Sequence, residues 1–152
     1  MTSVFFGCSM RGGYPNASRK ELRGIVDLIE GFGHTIVSRH QTEGDWSIKE
    51  ARLSDTEIHD RDYEWLVKCE AGVFEISNPS LGVGAEISDL LRLGKPVLCL
   101  YKQVLEGSVS AYVRGKMGSR HVKTPFECRP YDSMAQAAEI IQDFLERHGA
   151  RP

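Results

Sequence analysis

The chain alternates short apolar segments with amphipathic ones along almost its whole length, and this alternation restricts the folds open to it. Short apolar runs predict buried strands over residues 3–8, 34–38, 71–76, 96–101 and 121–126. Segments with apolar residues at helical spacing predict helices over residues 19–32, 55–70, 85–93, 109–114 and 134–148. Strands separated by helices favour right-handed crossovers and a parallel sheet covered on both faces. We therefore predict an α/β fold, a flavodoxin-like (Rossmann-like) three-layer sandwich with a five-stranded parallel sheet, in a single domain over residues 1–152.

Composition and charge argue against several classes of protein. The net charge of −2 gives no electrostatic drive toward nucleic-acid polymers or anionic membranes. No apolar run approaches the roughly 20 residues that span a bilayer, and the N-terminus lacks the basic region of a signal peptide. The cysteines form no CxxC pair and no metal-like spacing, which predicts buried free thiols at Cys8, Cys69, Cys99 and Cys128. We expect a cytoplasmic protein, or a nuclear one in a eukaryote, with no metal.

The loop after the first strand has the composition of a phosphate-binding loop. In a parallel sheet of this kind, ligands bind beyond the carboxyl ends of the strands, near the point where strand order reverses. The loop carries Gly7-Cys8-Ser9-Met10-Arg11-Gly12-Gly13. Backbone N–H groups, the Ser9 hydroxyl and the Arg11 guanidinium can cradle a phosphate, although a flexible connector with a solvated Arg11 fits the composition as well. It is not a Walker loop, because no Gly-Lys-Ser/Thr follows.

The loop after the third strand leads into a helix and carries a candidate catalytic carboxylate. It runs Asn78-Pro79-Ser80-Leu81-Gly82-Val83-Gly84-Ala85-Glu86. Ser80 and free N–H groups at the helix start offer a second anion site. Glu86 is expected in about the first turn, where an acidic residue that merely favours the helix dipole is also common. Its place at the carboxyl edge of the sheet favours a position in the crevice.

Further candidates lie on the helix that precedes the third strand and at the end of the second strand. Asp62 is next to apolar residues, so partial burial would raise its pKa, although a salt-bridged surface aspartate is an equally simple interpretation. His59 shares a helix face with it. His40 ends the second strand and is either a rim residue or an ordinary exposed histidine. Trp46 and Trp65 are able to stack on a base, but core packing is the simpler expectation.

Four segments of the chain resemble the 2′-deoxynucleoside 5′-phosphate N-hydrolases of the nucleoside 2-deoxyribosyltransferase superfamily. The matching segments are Ser9-Met10-Arg11-Gly12-Gly13, His59-Asp60-Arg61-Asp62-Tyr63-Glu64-Trp65-Leu66, Pro79-Ser80-Leu81-Gly82-Val83-Gly84-Ala85-Glu86 and Ser110-Ala111-Tyr112-Val113-Arg114-Gly115. Their order and spacing hold from about Ser3 to Leu145. The resemblance implies a hydrolase that cleaves the N-glycosidic bond of nucleoside 5′-monophosphates and needs no cofactor.

The resemblance also implies a role for each matching residue. Glu86 corresponds to the nucleophile and Asp62 to the acid/base partner. Ser110 corresponds to a residue that reaches the phosphate site of the neighbouring subunit, so a homodimer is the expected active unit. The substrate-binding set comprises Phe5, Gly7, Cys8, Ser9, Met10, Arg11, Gly12, Gly13, His40, Ser80, Gly82, Ser110, Ala111 and Tyr112.

One position departs from the deoxynucleotide-specific members of the family. Those members carry a tyrosine in the first strand, whose hydroxyl lies near the sugar 2′ position, and this chain has Phe5 there. Relatives with phenylalanine resemble cytidine-monophosphate hydrolases. The loss of the hydroxyl is therefore expected to admit a ribose 2′-hydroxyl.

The predicted mechanism divides the work between two carboxyl groups. Glu86, placed at a helix N-terminus, is expected to stay ionised and attack the anomeric carbon, while Asp62 is expected to carry a proton to the departing base. Two alternatives remain at this point. A nucleoside 2-deoxyribosyltransferase would share both carboxylates but usually lacks a phosphate site, and a nucleotide-binding module would have the phosphate loops without catalysis.

Overall fold

Five parallel strands form one sheet in the order β2-β1-β3-β4-β5. The computed structural model describes residues 1–149, apart from the side chains at positions 40 and 41. The strands are β1 (Ser3–Gly7), β2 (Thr35–Ile36), β3 (Ala71–Glu75), β4 (Val97–Lys102) and β5 (Phe126–Tyr131). This is the strand order of flavodoxin-like folds, so the predicted α/β class and five-stranded parallel sheet are confirmed. The order reverses between β1 and β3, and the crevice is expected there.

Helices cover both faces of the sheet. They are α1 (Arg19–Gly31), α2 (Trp46–Glu50), α3 (Asp55–Lys68), α4 (Leu81–Arg92), α5 (Ala111–Arg114) and α6 (Met134–His148). Apolar residues of α1 and α6 form one core with one face of the sheet. Those of α3 and α4 form a second core with the other face. Because successive strand residues point to opposite faces, Phe6 belongs to the first core and Phe5 to the second.

The starts of α1 and α3 follow from local sequence. Ser18 accepts a hydrogen bond from the Glu21 backbone N–H, and the Glu21 side chain accepts one from Ser18, which closes a capping box at α1. Ser54 and Glu57 form the same arrangement at α3. Such caps satisfy N–H groups that have no partner within the helix and are worth about 1 kcal/mol each.

The region after α1 differs from the prediction. The second strand was expected over residues 34–38, and β2 spans only Thr35–Ile36. Residues 40–47 were expected to be irregular, but a 3-10 helix spans Arg39–Thr42 and α2 starts at Trp46. These segments are too short to give a periodic pattern, so the sequence alone did not indicate them.

The predicted position of the fifth strand is wrong. It was placed over residues 121–126, whereas β5 spans Phe126–Tyr131. The segment contains charged residues and Pro130, which are uncommon in strands. The segment pairs with β4 alone, and a proline is tolerated on such an edge because its missing N–H removes no bond from the sheet interior. The shift places Tyr131 opposite Lys102, at the carboxyl edge of the sheet.

The structure also corrects the start of α4. The helix was expected to begin after Gly84, but it begins at Leu81, with the Ser80 hydroxyl accepting a hydrogen bond from the Val83 N–H. Glu86 is therefore in the second turn of the helix rather than the first. The N-terminal helix dipole acts mainly within the first turn, so it favours the charge of Glu86 less than expected.

The four cysteines are buried free thiols, as predicted. Within residues 1–149, no helix is long and apolar enough to cross a membrane.

Candidate active site

Hydrogen bonds from two asparagines join the loops that follow β1 and β3. Asn78 Oδ1 accepts hydrogen bonds from the backbone N–H groups of Asn16, at 2.8 Å, and Ala17, at 3.0 Å. Asn78 Nδ2 donates to the Ala17 carbonyl at 2.9 Å, and Asn16 Nδ2 donates to the Ser77 carbonyl at 2.8 Å. Asn78 is buried, so these bonds are shielded from water. The two loops predicted to bind phosphate are therefore held together.

Ser9 is fully buried at the start of the first loop, and its hydroxyl has no hydrogen-bond partner among the described residues. A buried hydroxyl without a partner costs about 1–3 kcal/mol, so such groups often serve a ligand. A methyl group at Gly12 would lie 3.0 Å from Ser9 Oγ and 3.3 Å from the Pro79 carbonyl oxygen. A side chain at Gly12 would therefore crowd the Ser9 hydroxyl. Gly13 has a φ of 79°, which favours glycine.

Glu86 lies among other acidic side chains. Burial raises the pKa of its carboxyl to about 8, and the negative charges of Asp62, Asp89 and Glu50 add to the effect. Glu86 is therefore largely protonated at neutral pH, and the expectation that it stays ionised there is wrong. The cause is its place in the second turn of α4, where it is half-buried and faces other carboxylates.

Asp62 contacts the guanidinium of the preceding residue. Arg61 Nη2 and Nε donate to Asp62 Oδ1 at 2.8 and 3.0 Å. Arg61 Nη2 also donates to Glu50 Oε1 at 2.5 Å, and Arg11 Nη2 lies 3.5 Å from Glu50 Oε2. The structure thus brings the predicted Glu86, Asp62 and Arg11 into one charged cluster, together with Glu50 and Arg61.

A second buried carboxylate supports the loop after β3 from beneath. Glu75, the last residue of β3, accepts hydrogen bonds from the Ser77 N–H at 2.5 Å, from the Ser77 hydroxyl at 3.1 Å and from the Tyr131 hydroxyl. Burial raises the pKa of Glu75. Burial also raises the pKa of the Cys8 thiol to about 12, with further contributions from the charges of Glu75 and Glu86. A thiol with so high a pKa is a poor nucleophile, which favours a packing role for Cys8.

Ser80 and Ser110 line a cavity of about 590 Å³. Its walls are mainly apolar and include Ile76, Val83, Ile87, Leu105, Val109 and Val113. Neither Glu86 nor Asp62 lines it. Ser110 is exposed, and its hydroxyl accepts a hydrogen bond from the Val113 N–H at the start of α5. The predicted phosphate-binding residues therefore do not all lie in one cavity of this chain.

Two curated relatives cover nearly the whole chain. The 5-hydroxymethyl-dUMP N-hydrolase of Mus musculus is 36% identical over 149 residues, which are 96% of this chain and 79% of the mouse protein. A protein of Syntrophotalea carbinolica that carries the name of the 2′-deoxynucleoside 5′-phosphate N-hydrolases is 31% identical over 142 residues, 93% of both chains. The chain belongs to the 2′-deoxynucleoside 5′-phosphate N-hydrolase family. This confirms the resemblance drawn from the four segments, and with it the prediction of an N-glycosidase.

A solved structure shows the same fold. The Clostridium botulinum CMP N-glycosidase BcmB superposes with a TM-score of 0.64 at 20% identity, over 94% of this chain and 99% of that one. No protein-family model matches the chain.

The remaining predicted site residues are divided between core and surface. Phe5 is fully buried, with its ring centroid 5.8 Å from that of Phe74. Gly7 faces the same ring, because a methyl group there would lie 2.4 Å from Phe74. Met10 packs against the first core. The other surface positions predicted to bind substrate are Gly82, Ala111 and Tyr112. The side chain of His40 lies outside the described residues, so its predicted role stays a prediction.

Sequence reasoning missed Glu50, Arg61, Glu75 and Tyr131. Glu50 is the last residue of α2, a helix that begins within the stretch of residues 40–47 predicted to be irregular. Arg61 was noted only as part of a motif. Glu75 had a usable signal, because a carboxylate inside the apolar run of residues 71–76 is costly unless it is paired. Tyr131 was missed because the fifth strand was misplaced.

Proposed function

We propose that this chain hydrolyses the N-glycosidic bond of nucleoside 5′-monophosphates by double displacement, releasing a free base and a sugar 5-phosphate. Glu86 is the nucleophile and Asp62 the acid/base residue. The observation that carries the proposal is the clustering of these two carboxyl groups beside a loop whose buried Ser9 hydroxyl has no partner in the described chain. The names of the relatives, a 5-hydroxymethyl-dUMP N-hydrolase and a CMP N-glycosidase, support the same substrate class.

The phosphate site in this proposal is the space beside Ser9. The Ser9 hydroxyl and the exposed guanidinium of Arg11 supply hydrogen-bond donors and positive charge, and Gly12 adds no side chain beside them. Ser80 stands at the N-terminus of α4, a place that favours anions. Binding energy from a phosphate remote from the reacting bond orients the sugar and raises the rate as well as the affinity.

In the first step, a Glu86 carboxylate oxygen bonds to the anomeric carbon as the bond from that carbon to the base nitrogen breaks. The electron pair of the broken bond goes to the base, which takes a proton from Asp62. In the second step, water attacks the anomeric carbon, Asp62 takes the proton of that water, and the ester to Glu86 breaks. General acid assistance of this kind is worth roughly 10²- to 10⁴-fold.

The raised pKa of Glu86 changes how the proton is supplied. In the free protein at neutral pH the proton resides mainly on Glu86. The proposed chemistry also needs one proton on the two carboxyl groups, but on Asp62 rather than on Glu86. Because the two carboxyl groups interact, they titrate as a pair. Positive charge developing at the anomeric carbon favours the ionised form of Glu86.

The active unit in this proposal is a homodimer in which Ser110 contacts the phosphate in the partner's site. In the single chain, large apolar side chains are exposed on the elements around the 590 Å³ cavity: Leu81 at 97%, Val104 at 87% and Tyr112 at 82%. A patch of this kind is typical of an interface between subunits. Ser110 lies exposed on the same side and lines the cavity.

Phe5 supports acceptance of ribose as well as deoxyribose. It is buried against Phe74 and brings no hydroxyl to the crevice end of β1. A site without a group that hydrogen-bonds or crowds the 2′ position discriminates weakly between the two sugars.

The experiment is to incubate the protein with ribo- and deoxyribonucleoside monophosphates and to measure the released base by chromatography. We expect base release from at least one monophosphate, much slower release from the matching nucleoside, and loss of release in Glu86→Gln with nucleotide binding retained. Full activity in Glu86→Gln would remove Glu86 from the mechanism. A new nucleoside formed when a second base is added would identify a transferase instead.

A further inference from the structure

We propose that Glu50 and Arg61 form a positioning pair that sets the orientation of Asp62 in the candidate active site. The inference rests on the proposed function, because it concerns the orientation of the proposed acid/base carboxyl group. Glu50 is the last residue of α2, and Arg61 precedes Asp62 in α3. Neither residue is placed in contact with substrate.

Arg61 holds one oxygen of Asp62 with two donors. Its Nη2 and Nε lie 2.8 and 3.0 Å from Asp62 Oδ1. Two donors from one rigid guanidinium restrict both the position and the rotation of the carboxyl group. Consecutive helix residues do not normally face each other, so this contact requires the Arg61 side chain to fold back along the helix surface.

Glu50 and Trp65 hold Arg61 in that folded-back position. Glu50 Oε1 accepts from Arg61 Nη2 at 2.5 Å, and the guanidinium carbon lies 4.7 Å from the centre of the Trp65 ring. Glu50 is nearly buried, with 8% of its surface exposed. An arginine side chain has many rotamers, so an ion pair to a nearly buried carboxylate and a stacked ring are suitable restraints on it.

The other oxygen of Glu50 faces the phosphate loop. Arg11 Nη2 lies 3.5 Å from Glu50 Oε2, and the Arg11 side chain is 67% exposed. A bound phosphate would compete with Glu50 for Arg11 but not for Arg61, which has closer partners. Glu50 therefore links the loop that binds phosphate to the arginine that orients Asp62.

The experiment compares Glu50→Gln, Arg61→Met and the double variant in base release and in nucleotide affinity. The matched control is Glu127→Gln on β5. Glu127 also pairs with two arginines, Arg147 at 2.7 Å and Arg129 at 3.3 Å, and its side chain is likewise shielded from solvent. That pairing has no contact with the candidate site.

We expect Glu50→Gln to lower kcat about tenfold without raising KM, because Asp62 loses its orientation while Arg11 becomes free for phosphate. Arg61→Met should lower kcat by a similar factor. The double variant should be no worse than either single variant, since residues that act as one unit are not additive. Glu127→Gln should leave both constants within twofold of the wild type. Multiplicative losses in the double variant would overturn the proposal.

A second readout does not depend on catalysis. The Nε–H resonance of Arg61 in the nuclear magnetic resonance spectrum, assigned by its absence in Arg61→Met, should exchange slowly in the wild type and rapidly in Glu50→Gln. An unchanged resonance in Glu50→Gln would show that Glu50 does not hold Arg61. If no nucleotide releases base in the wild type, the proposed function fails, and this resonance still decides whether Glu50 holds Arg61 as the pair requires.

Discussion

Asp62, on α3, lies close enough to Glu86, on α4, for its negative charge to raise the pKa of the Glu86 carboxyl. The two residues are 24 positions apart in the chain, and the packing of α3 against α4 in the second core brings them to one side of the sheet. Like charges at short range disfavour simultaneous ionisation. A pair of carboxyl groups with linked protonation is the arrangement that glycosidic cleavage uses.

The first prediction concerns the pH dependence of base release. The proposed mechanism needs one proton on the Glu86–Asp62 pair, and that proton is lost as pH rises through about 8, so kcat/KM should fall up to tenfold for each pH unit above about 8. Asp89→Asn removes one of the negative charges that raise this pKa and should move the alkaline limb of the profile to lower pH by a few tenths of a unit. Initial rates from pH 5 to 9.5 measure both.

The substrate phosphate titrates near pH 6 and contributes its own limb. That limb is the same for wild type and Asp89→Asn, so the difference between the two profiles reports on the protein. Coinciding profiles with no fall in kcat/KM above pH 8 would mean that the proton shared by Glu86 and Asp62 does not control the rate.

The second prediction concerns stability rather than activity. The Glu86 carboxyl has its pKa raised in the folded state from the ordinary 4.5 to about 8. Folding therefore binds a proton between these pH values, and the stability of the wild type falls as pH rises through them. Glu86→Gln removes this loss. It should raise the free energy of unfolding relative to the wild type by roughly 1–3 kcal/mol at pH 9 and by much less at pH 4.5. The lower end of this range allows for solvent screening of the Glu86 charge.

Urea unfolding at the two pH values measures this difference. Glu139→Gln is the control, because Glu139 is exposed on α6, and it should show the same stability change at both pH values. An equal effect of Glu86→Gln at pH 4.5 and pH 9 would contradict the raised pKa.

Much of the fold followed from local pattern, while the chemistry of the site did not. The apolar runs of β1, β3 and β4 and the caps at Ser18 and Ser54 are local signals, and each predicted its element to within a few residues. The protonation of Glu86 depends on charges from three different helices. No local sequence pattern indicates the combined effect of these charges, so the sequence alone predicted an ionised Glu86.

Residues that act through others were the hardest to predict. Glu75 and Tyr131 meet only because β5 pairs with β4 in a register that places Tyr131 at the carboxyl edge. Glu50 approaches Arg61 through a five-residue helix that has no periodic signal. The motifs identified the residues expected to face the substrate, whereas the residues that support them are brought into place by tertiary packing.

The third prediction tests the phosphate site. Ser9→Ala removes a buried hydroxyl that has no partner in the described chain, so the free protein should keep its stability or gain up to about 1 kcal/mol. The same variant should lose about 1–2 kcal/mol of affinity for nucleoside monophosphates, or five- to thirtyfold. Thermal unfolding and calorimetric titration with a monophosphate and its nucleoside measure the two effects.

Gly12→Ala tests the same space from the other side. Its methyl group would lie 3.0 Å from Ser9 Oγ, so monophosphate binding should weaken while nucleoside binding changes little. Gly31→Ala is the control, because nothing lies within 4 Å of the added methyl group. Equal losses for nucleoside and monophosphate would place the phosphate elsewhere.

The fourth prediction tests whether Ser110 acts across a dimer interface. Glu86→Gln should be inactive, and Ser110→Ala should bind monophosphates about ten- to a hundredfold more weakly, since one hydrogen bond to a charged group is worth about 1.5–3 kcal/mol. In a mixed dimer, the subunit that carries Ser110→Ala keeps Glu86 and receives an intact Ser110 from its Glu86→Gln partner. That site is complete.

Mixing the two variants under conditions that exchange subunits should therefore produce sites with wild-type KM. The number of such sites should approach a quarter of all sites, because half of the dimers are mixed and each of these has one complete site.

If Ser110 acts within its own subunit, the only active sites after mixing are those of Ser110→Ala, and their KM stays raised. Sedimentation velocity on Val104→Asp adds an independent check, because a charge at this exposed position should separate the subunits and raise the KM to the value of Ser110→Ala.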